Sequence, residues 1–526
     1  MSAVIAQPQR RLWTFHGGLH LPDHKEGSTT SPVASAPLSP RLVIPLQQHI
    51  GEASEPLVTT GDHVLKGQLI GRPQGYVSAA VHAPTSGIVK ALELQPIPHP
   101  SGLPGLCIVI EADGEDRWGD LPPPIDDYRD VDRAALRDRV RQAGIVGLGG
   151  AGFPASVKLN PGPDYPVRTL VLNGAECEPY ITSDDMLMRE HADRVIAGLG
   201  ILQHILGAAE CLVGIEDNKP AAIAAMRQAL SLSGLSNAEV VVIPTLYPSG
   251  GEKQLIRILT GLEVPSHGIP AEIGVVCQNV GTAAAVADAV VEGRPLISRI
   301  VTVTGQGVKN PQNLDAPIGT PLSALIDAAG GYADDVARLV FGGPMMGFAL
   351  ADDQVPLVKG CNCVIAAGAG EAASPPEPRA CIRCGECARV CPARLLPQQL
   401  YWFSRARDFD KAQDYNLFDC IECGCCAHVC PSHIPLVQYY RFAKTEVWAR
   451  EREKRKADHA RRRHEARAAR LERLEAERKA RLRKKKEALE TPDRNDQAAK
   501  KAAIEAAMKR VAARKAARAS AGEQEG

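Results

Sequence analysis

Gly147-Leu148-Gly149-Gly150-Ala151-Gly152 is a glycine-rich loop, and what flanks it sets the fold. Before it, 132–143 has the spacing of a helix. After it, 167–173 is an apolar strand that runs into Asn173-Gly174-Ala175-Glu176-Cys177-Glu178-Pro179. A long helical stretch, 183–206, leads to a strand at 210–216, and a helix opening near Pro220 leads to a strand at 239–244. Helices and strands that alternate in this way build an α/β sheet domain, here 131–297. Carboxylates just past the carboxyl end of a strand stand where such sheets bind ligands, which singles out Glu176 and Glu178. Either one alone reads as a solvated loop residue.

The loop contains the letters GxGxxG, but a dinucleotide-binding fingerprint follows a strand, and here a helix comes first. The loop is therefore either a structural turn or a backbone cradle for phosphate, with Lys158 near enough to add a charge.

Outward toward the C-terminus, Cys381-x2-Cys384-x2-Cys387-x3-Cys391-Pro392 repeats as Cys420-x2-Cys423-x2-Cys426-x3-Cys430-Pro431. Three thiolates two residues apart wrap one face of a cubane, and the fourth, before proline, turns to the other cluster; this is bacterial ferredoxin spacing. The expected ligand sets are Cys381, Cys384, Cys387 and Cys430 for one [4Fe–4S] cluster, and Cys420, Cys423, Cys426 and Cys391 for the second. Paired zinc ribbons compete, but they use CxxC knuckles without CxxxCP. Cys425, Cys361 and Cys363 read as non-ligating. Two adjacent clusters imply serial one-electron transfer within a ferredoxin-like helical module, 370–445.

Toward the N-terminus, 1–40 carries His16-Gly17-Gly18-Leu19-His20. The region 41–120 has short strands at 42–45, 69–70, 86–94 and 107–111. Gly61 to Gln68 followed by His82-Ala83-Pro84-Thr85-Ser86-Gly87 resembles a biotinyl/lipoyl-type barrel-sandwich hybrid. No lysine lies in 69–84, so the module docks or supports rather than carrying a swinging arm. The scattered histidines His16, His20, His24, His63 and His82 read as surface or packing residues.

Four segments resemble the NADH-binding flavoprotein subunit of respiratory complex I. They are Gly149 to Pro154 with Lys158, Asn173 to Pro179, Tyr247-x2-Gly250-Gly251-Glu252, and Gln278-Asn279-Val280-x-Thr282. Departures from that pattern are Ala175, Gly251 and Gln278. Gly147 to Pro154 and Asn173 to Pro179, together with the His-Gly-Gly-Leu-His motif, the loop Gly342-Gly343-Pro344-Met345-Met346-Gly347 and the paired cysteine motifs, make the chain similar over about 13–445 to the C component of the ion-translocating Rnf (Rsx) electron-transport complex. The resemblance implies non-covalent FMN on Gly149, Gly150 and Gly152, with Lys158, Asn173, Gly250, Asn279 and Thr282 fixing the rest. It further implies Phe153 stacked on NADH, Glu176 and Glu252 on the flavin side, and Glu178 as the catalytic contact to NADH. Residues 298–350 resemble a soluble-ligand-binding β-grasp (SLBB-like) domain.

The zero net charge of the 526-residue chain hides a division. From Arg450 onward stand 26 Lys+Arg and 14 Asp+Glu, leaving 35 and 47 in 1–449, so an acidic body carries a basic tail. The tail, 450–526, is rich in Ala, Glu, Lys and Arg, which favour helix. It reads as a solvated helix or as a contact for anionic lipid or an acidic partner, and not for nucleic acid, since no binding module accompanies it. No apolar run nears the roughly 18 residues of a membrane span, and residues 1–13 lack an apolar h-region, so no secretory signal is expected.

The expectation is therefore a multidomain α/β and α+β chain, peripheral on the cytoplasmic face of the bacterial inner membrane. It would pass electrons between NADH, FMN and two [4Fe–4S] clusters toward a ferredoxin-like partner, beside integral-membrane and cluster-bearing subunits. Two other readings stand: an iron–sulfur adaptor without a working flavin site, and the diaphorase subunit of a soluble hydrogenase or formate dehydrogenase.

Overall fold

The computed structural model describes residues 10–372, 376–490 and 494–521, and divides into two compact units, Met1–Lys444 and Thr445–Gly526.

At the centre of the first unit is a four-stranded parallel sheet in the order Ala238–Ile243, Glu210–Glu216, Thr169–Gly174, Val275–Asn279. Its strands alternate strictly. Leu170 and Leu172 face one apolar core, and Val171 faces the other. Burial on both faces is what an all-parallel sheet requires. Helices Arg133–Gln142, Ala192–Leu206, Pro220–Ser233 and Val280–Ala287 contribute to one core and Glu252–Thr260 to the other. Asp132 caps Arg133–Gln142 by accepting from the amides of Ala134 and Ala135, so a helix does precede the glycine loop. The helical stretch expected at 183–206 is two helices, Ser183–Glu190 and Ala192–Leu206, broken at His191, whose φ of −132° and ψ of 38° lie outside the helical range.

Strand order reverses between Thr169–Gly174 and Val275–Asn279: from the first strand the chain moves to one side twice, then returns to the other. In open α/β sheets a switch point of this kind is where the ligand crevice lies, at the strands' carboxyl ends. Asn173 and Asn279 are register partners there.

Residues 41–112 form a four-stranded antiparallel sheet and a three-stranded one around Leu42, Ile44, Val64, Ile70, Val89 and Ile108. A mixed six-stranded sheet follows, in the order Ala34–Ser35, Gln312–Pro317, Ser298–Thr304, Cys363–Gly368, Val336–Phe341, Phe348–Leu350. This sheet reaches past residue 350, because Cys363–Gly368 is inserted parallel to Ser298–Thr304. Cys361 and Cys363 are thus core residues of the sheet rather than followers of it, and burial pushes the Cys361 thiol up to about 12.

Lys359 is fully buried, and its ammonium donates to the carbonyls of Ala80 and Gly144, tying the barrel to the α/β domain. Burial lowers its pKa to about 7.

The second unit is helical. The helix Leu436–Glu490 continues through it, and Arg494–Ala521 follows, with nearly every described side chain exposed.

Candidate functional site

The glycine loop lies against the switch point. A Cβ on Gly149 would stand 3.4 Å from the Asn279 side chain. The Leu148 amide donates to the Thr282 hydroxyl at 2.9 Å. Asn279 caps Val280–Ala287, its Oδ1 accepting from the amides of Gly281 and Thr282. Gly150 has a φ of +104° and open space where a Cβ would be. The amides of Gly149, Gly150 and Ala151 have no protein acceptor among the described residues, and the three residues are exposed. Unpaired amides on an open glycine turn beside a helix N-terminus are what a phosphate binds. The residues present therefore fit the phosphate end of a flavin mononucleotide.

Across the crevice, Asn173 Nδ2 donates to the Gly250 carbonyl at 2.8 Å, and the Gly250 amide donates to Cys177 Sγ at 3.2 Å. Phe153 is half-buried beside the loop, its carbonyl accepting from the Gly147 amide. The structure thus links Gly149, Asn173, Gly250 and Asn279 at the switch point, with Thr282 buried behind the loop and Gly152 turned toward residues 48–50 of the barrel.

The charged residues are already engaged. Lys158 donates to Glu252 Oε1 at 2.5 Å and to the Cys277 carbonyl at 2.8 Å. Burial works against its charge, but Glu252 outweighs that and holds its pKa above the ordinary value. Glu176 accepts from the amides of Asp184 and Asp185, anchoring the start of Ser183–Glu190. Glu178 turns to the loop 342–347, where its Oε1 accepts from the amides of Met345 and Met346 at 2.8 and 2.7 Å. Burial raises its pKa, against those two bonds.

Two residues of this region carry no local sequence signal. Lys25 is buried, and its ammonium donates to the carbonyls of Glu176, Glu178 and Ile181. Asp184 accepts from Asn279 Nδ2 at 2.6 Å; burial, reinforced by Glu176, pushes its carboxyl up to about 7. In the sequence Asp184 looks like an ordinary acidic residue in a first helical turn.

The eight motif cysteines line two cavities. Cys381, Cys384, Cys387 and Cys430 line one of about 580 Å³. Cys391, Cys420, Cys423 and Cys426 line a second, tighter one. Each set takes three thiols from one motif and the fourth from the other, the donor set a pair of cubanes needs. Among the described residues, no three or more His, Cys, Asp or Glu side chains converge closely enough for a single metal ion. Cys384 is exposed, whereas Cys391, Cys423 and Cys426 are buried, so one cavity is outer and one inner. Cys425 also borders the inner cavity, buried against Tyr247 and Cys423.

Four family models match in order. They are the RnfC barrel sandwich hybrid domain over 13–115, the Nuo51 FMN-binding domain over 140–288, the SLBB domain over 300–349 and the 4Fe-4S dicluster domain over 380–434. Three relatives are named as the C component of an ion-translocating oxidoreductase complex. The Pseudomonas aeruginosa protein is 53% identical over 89% of this chain and 60% of its own length. The Edwardsiella ictaluri protein is 50% identical over 97% and 62%. The Serratia proteamaculans protein is 50% identical over 98% and 72%. The chain therefore spans about three fifths of the length of the first two. With the glycine loop, the switch-point asparagines and the eight cysteines each inside the model that matches its surroundings, the chain belongs to the family formed by the C components of ion-translocating oxidoreductase complexes.

Proposed function

We propose that this chain is the electron-entry subunit of a membrane-bound, ion-translocating oxidoreductase, passing electrons between NADH, FMN and two [4Fe–4S] clusters toward a ferredoxin-like partner. The observation that carries the reading is the cross-motif division of eight cysteines into an inner and an outer cavity, the inner one against the α/β domain. When bound, FMN takes a hydride and gives up electrons one at a time, and the clusters carry them singly.

In this reading the amides of Gly149 to Ala151 hold the flavin phosphate. Asn173, Gly250, Asn279 and Thr282 shape the crevice, and Phe153 offers a stacking face to NADH. Lys158, Glu252 and Glu176 steady the crevice walls through their own contacts. Glu178 is the carboxylate assigned to NADH, and to reach it the carboxylate must exchange the Met345 and Met346 amides for the substrate. Cys420, Cys423, Cys426 and Cys391 ligate the inner cluster, and Cys381, Cys384, Cys387 and Cys430 the outer one. The exposed outer cavity faces the electron partner. The sheet of 298–368, as a β-grasp domain, holds the cluster module in place through its 342–347 loop. Ion movement falls to integral-membrane subunits, with this chain peripheral on the cytoplasmic face.

The capped state of Glu178 favours a second reading, an iron–sulfur adaptor without a working NADH site. Anaerobic purification, iron and flavin analysis and addition of NADH separate the two. The first reading expects about eight irons, bound FMN, and bleaching of flavin and cluster absorbance. Iron without flavin or bleaching leaves the adaptor. A Glu178→Gln chain reduced by NADH as fast as the parent would remove Glu178 from the site.

A further inference from the structure

The motif His16-Gly17-Gly18-Leu19-His20 takes none of the roles above. It lies as a strap between the cysteine module and the α/β domain. On one side the Gly18 amide donates to the Val390 carbonyl at 3.1 Å, and the His16 ring is hydrogen-bonded to the Cys391 carbonyl at 3.0 Å. On the other side Leu19 exchanges both backbone hydrogen bonds with Tyr247, at 2.7 and 2.9 Å. Tyr247 is buried, and its phenol donates to the Cys423 carbonyl at 2.6 Å. Strap and tyrosine together hold two of the four cysteine positions of the inner cavity.

Tyr247 also opens the turn that ends at Gly250, which Asn173 and Cys177 pin at the switch point. The backbone of 247–250 and the Tyr247 phenol thus connect the Asn173 contact at the switch point to the Cys423 carbonyl. The fit has no slack. Gly17 has a φ of +71°, and a Cβ there would stand 2.5 Å from both the carbon and the oxygen of the Val390 carbonyl.

We propose that Tyr247, locked by the 16–19 strap, is the positioning residue that couples the α/β crevice to the inner cluster. The inference rests on the proposed function. With flavin and cluster bound, the step it would serve carries one electron, supplied by NADH through the flavin, to the inner cluster, with no bond formed or broken in that transfer. Groups around the ligands that orient them and set local dipoles tune both geometry and potential.

The test uses the full chain, purified anaerobically with iron, sulfide and FMN restored. Tyr247→Phe removes one hydroxyl and keeps the ring. Iron content, flavin content and the NADH-driven flavin phase should match the parent. The cluster phase should slow on the order of tenfold, the low end of what losing a partner that orients a metal ligand costs. In a dithionite titration followed by electron paramagnetic resonance, the inner-cluster midpoint should shift while the outer one stays. Gly17→Ala should slow the cluster phase further. A cluster phase within twofold of the parent in Tyr247→Phe, with both midpoints unmoved, overturns the proposal. If NADH fails to bleach even the parent, the function reading falls. The titration alone then decides: a selective inner-cluster shift upholds the contact, and unmoved midpoints overturn it.

Discussion

Gly150 shows how much a single residue carries. At a φ of +104° a side chain is strained by roughly 1–2 kcal/mol, and relaxing that strain turns the neighbouring amides. Gly150→Val should lower bound flavin at least tenfold and leave iron at the parent value, read by flavin release and iron assay on one preparation. Asp184 makes a pH prediction. Its folded pKa, about 7, lies above the ordinary 3.8. Below about 4 both states hold the proton. From there to about 7 the unfolded chain releases a proton that the folded chain keeps, so stability falls as pH rises through that window. Asp184→Asn keeps an acceptor for Asn279 and removes the charge. Its gain in urea midpoint over the parent should be larger at pH 8 than at pH 5, and equal gains would refute the assignment. The site's glycines, asparagines and cysteines were legible because they form short motifs. Lys25 was not, since its three acceptors lie about 150 residues away and no local pattern marks the pairing.

At the scale of elements, the cysteine motifs were the most legible part, because ligand spacing is set over ten residues of chain. The cross-ligation they imply has a sharp consequence. Cys430 belongs to the second motif by sequence and to the outer cavity by position. Cys430→Ser should therefore abolish the outer cluster's resonance signal and spare the inner one, and Cys391→Ser should do the reverse. Loss of the inner signal in Cys430→Ser would refute the division. The sheet was legible for three of its four strands. Val275–Asn279 escaped because it has only three apolar residues before Gln278-Asn279 and runs at once into the alanine-rich helix Val280–Ala287. That strand nevertheless creates the switch point. The break at His191 was equally hidden, for the apolar spacing continues through it.

For the whole molecule, the division of charge matches the division of structure. Every residue assigned to flavin, NADH or clusters lies in the unit Met1–Lys444, and the basic stretch from Arg450 lies beyond it. Deleting 450–526 should leave iron per chain, flavin per chain and NADH-driven bleaching unchanged, checked on anaerobic full-length and truncated preparations. Binding to vesicles of anionic lipid should weaken in the truncated chain, since clustered Lys and Arg each contribute about 1 kcal/mol near such a surface. The order of domains was legible from motif order. The ties between them were not: Lys359 joins two carbonyls more than 200 residues away in sequence.

The strap also has a consequence for biosynthesis. His16 leaves the ribosome 375 residues ahead of its partner Cys391. At about 5–20 residues per second, the strap waits on the order of 20–75 s for the segment it must grip. The α/β domain can fold in that interval, but its N-terminal clasp closes only after the cysteine module has been made.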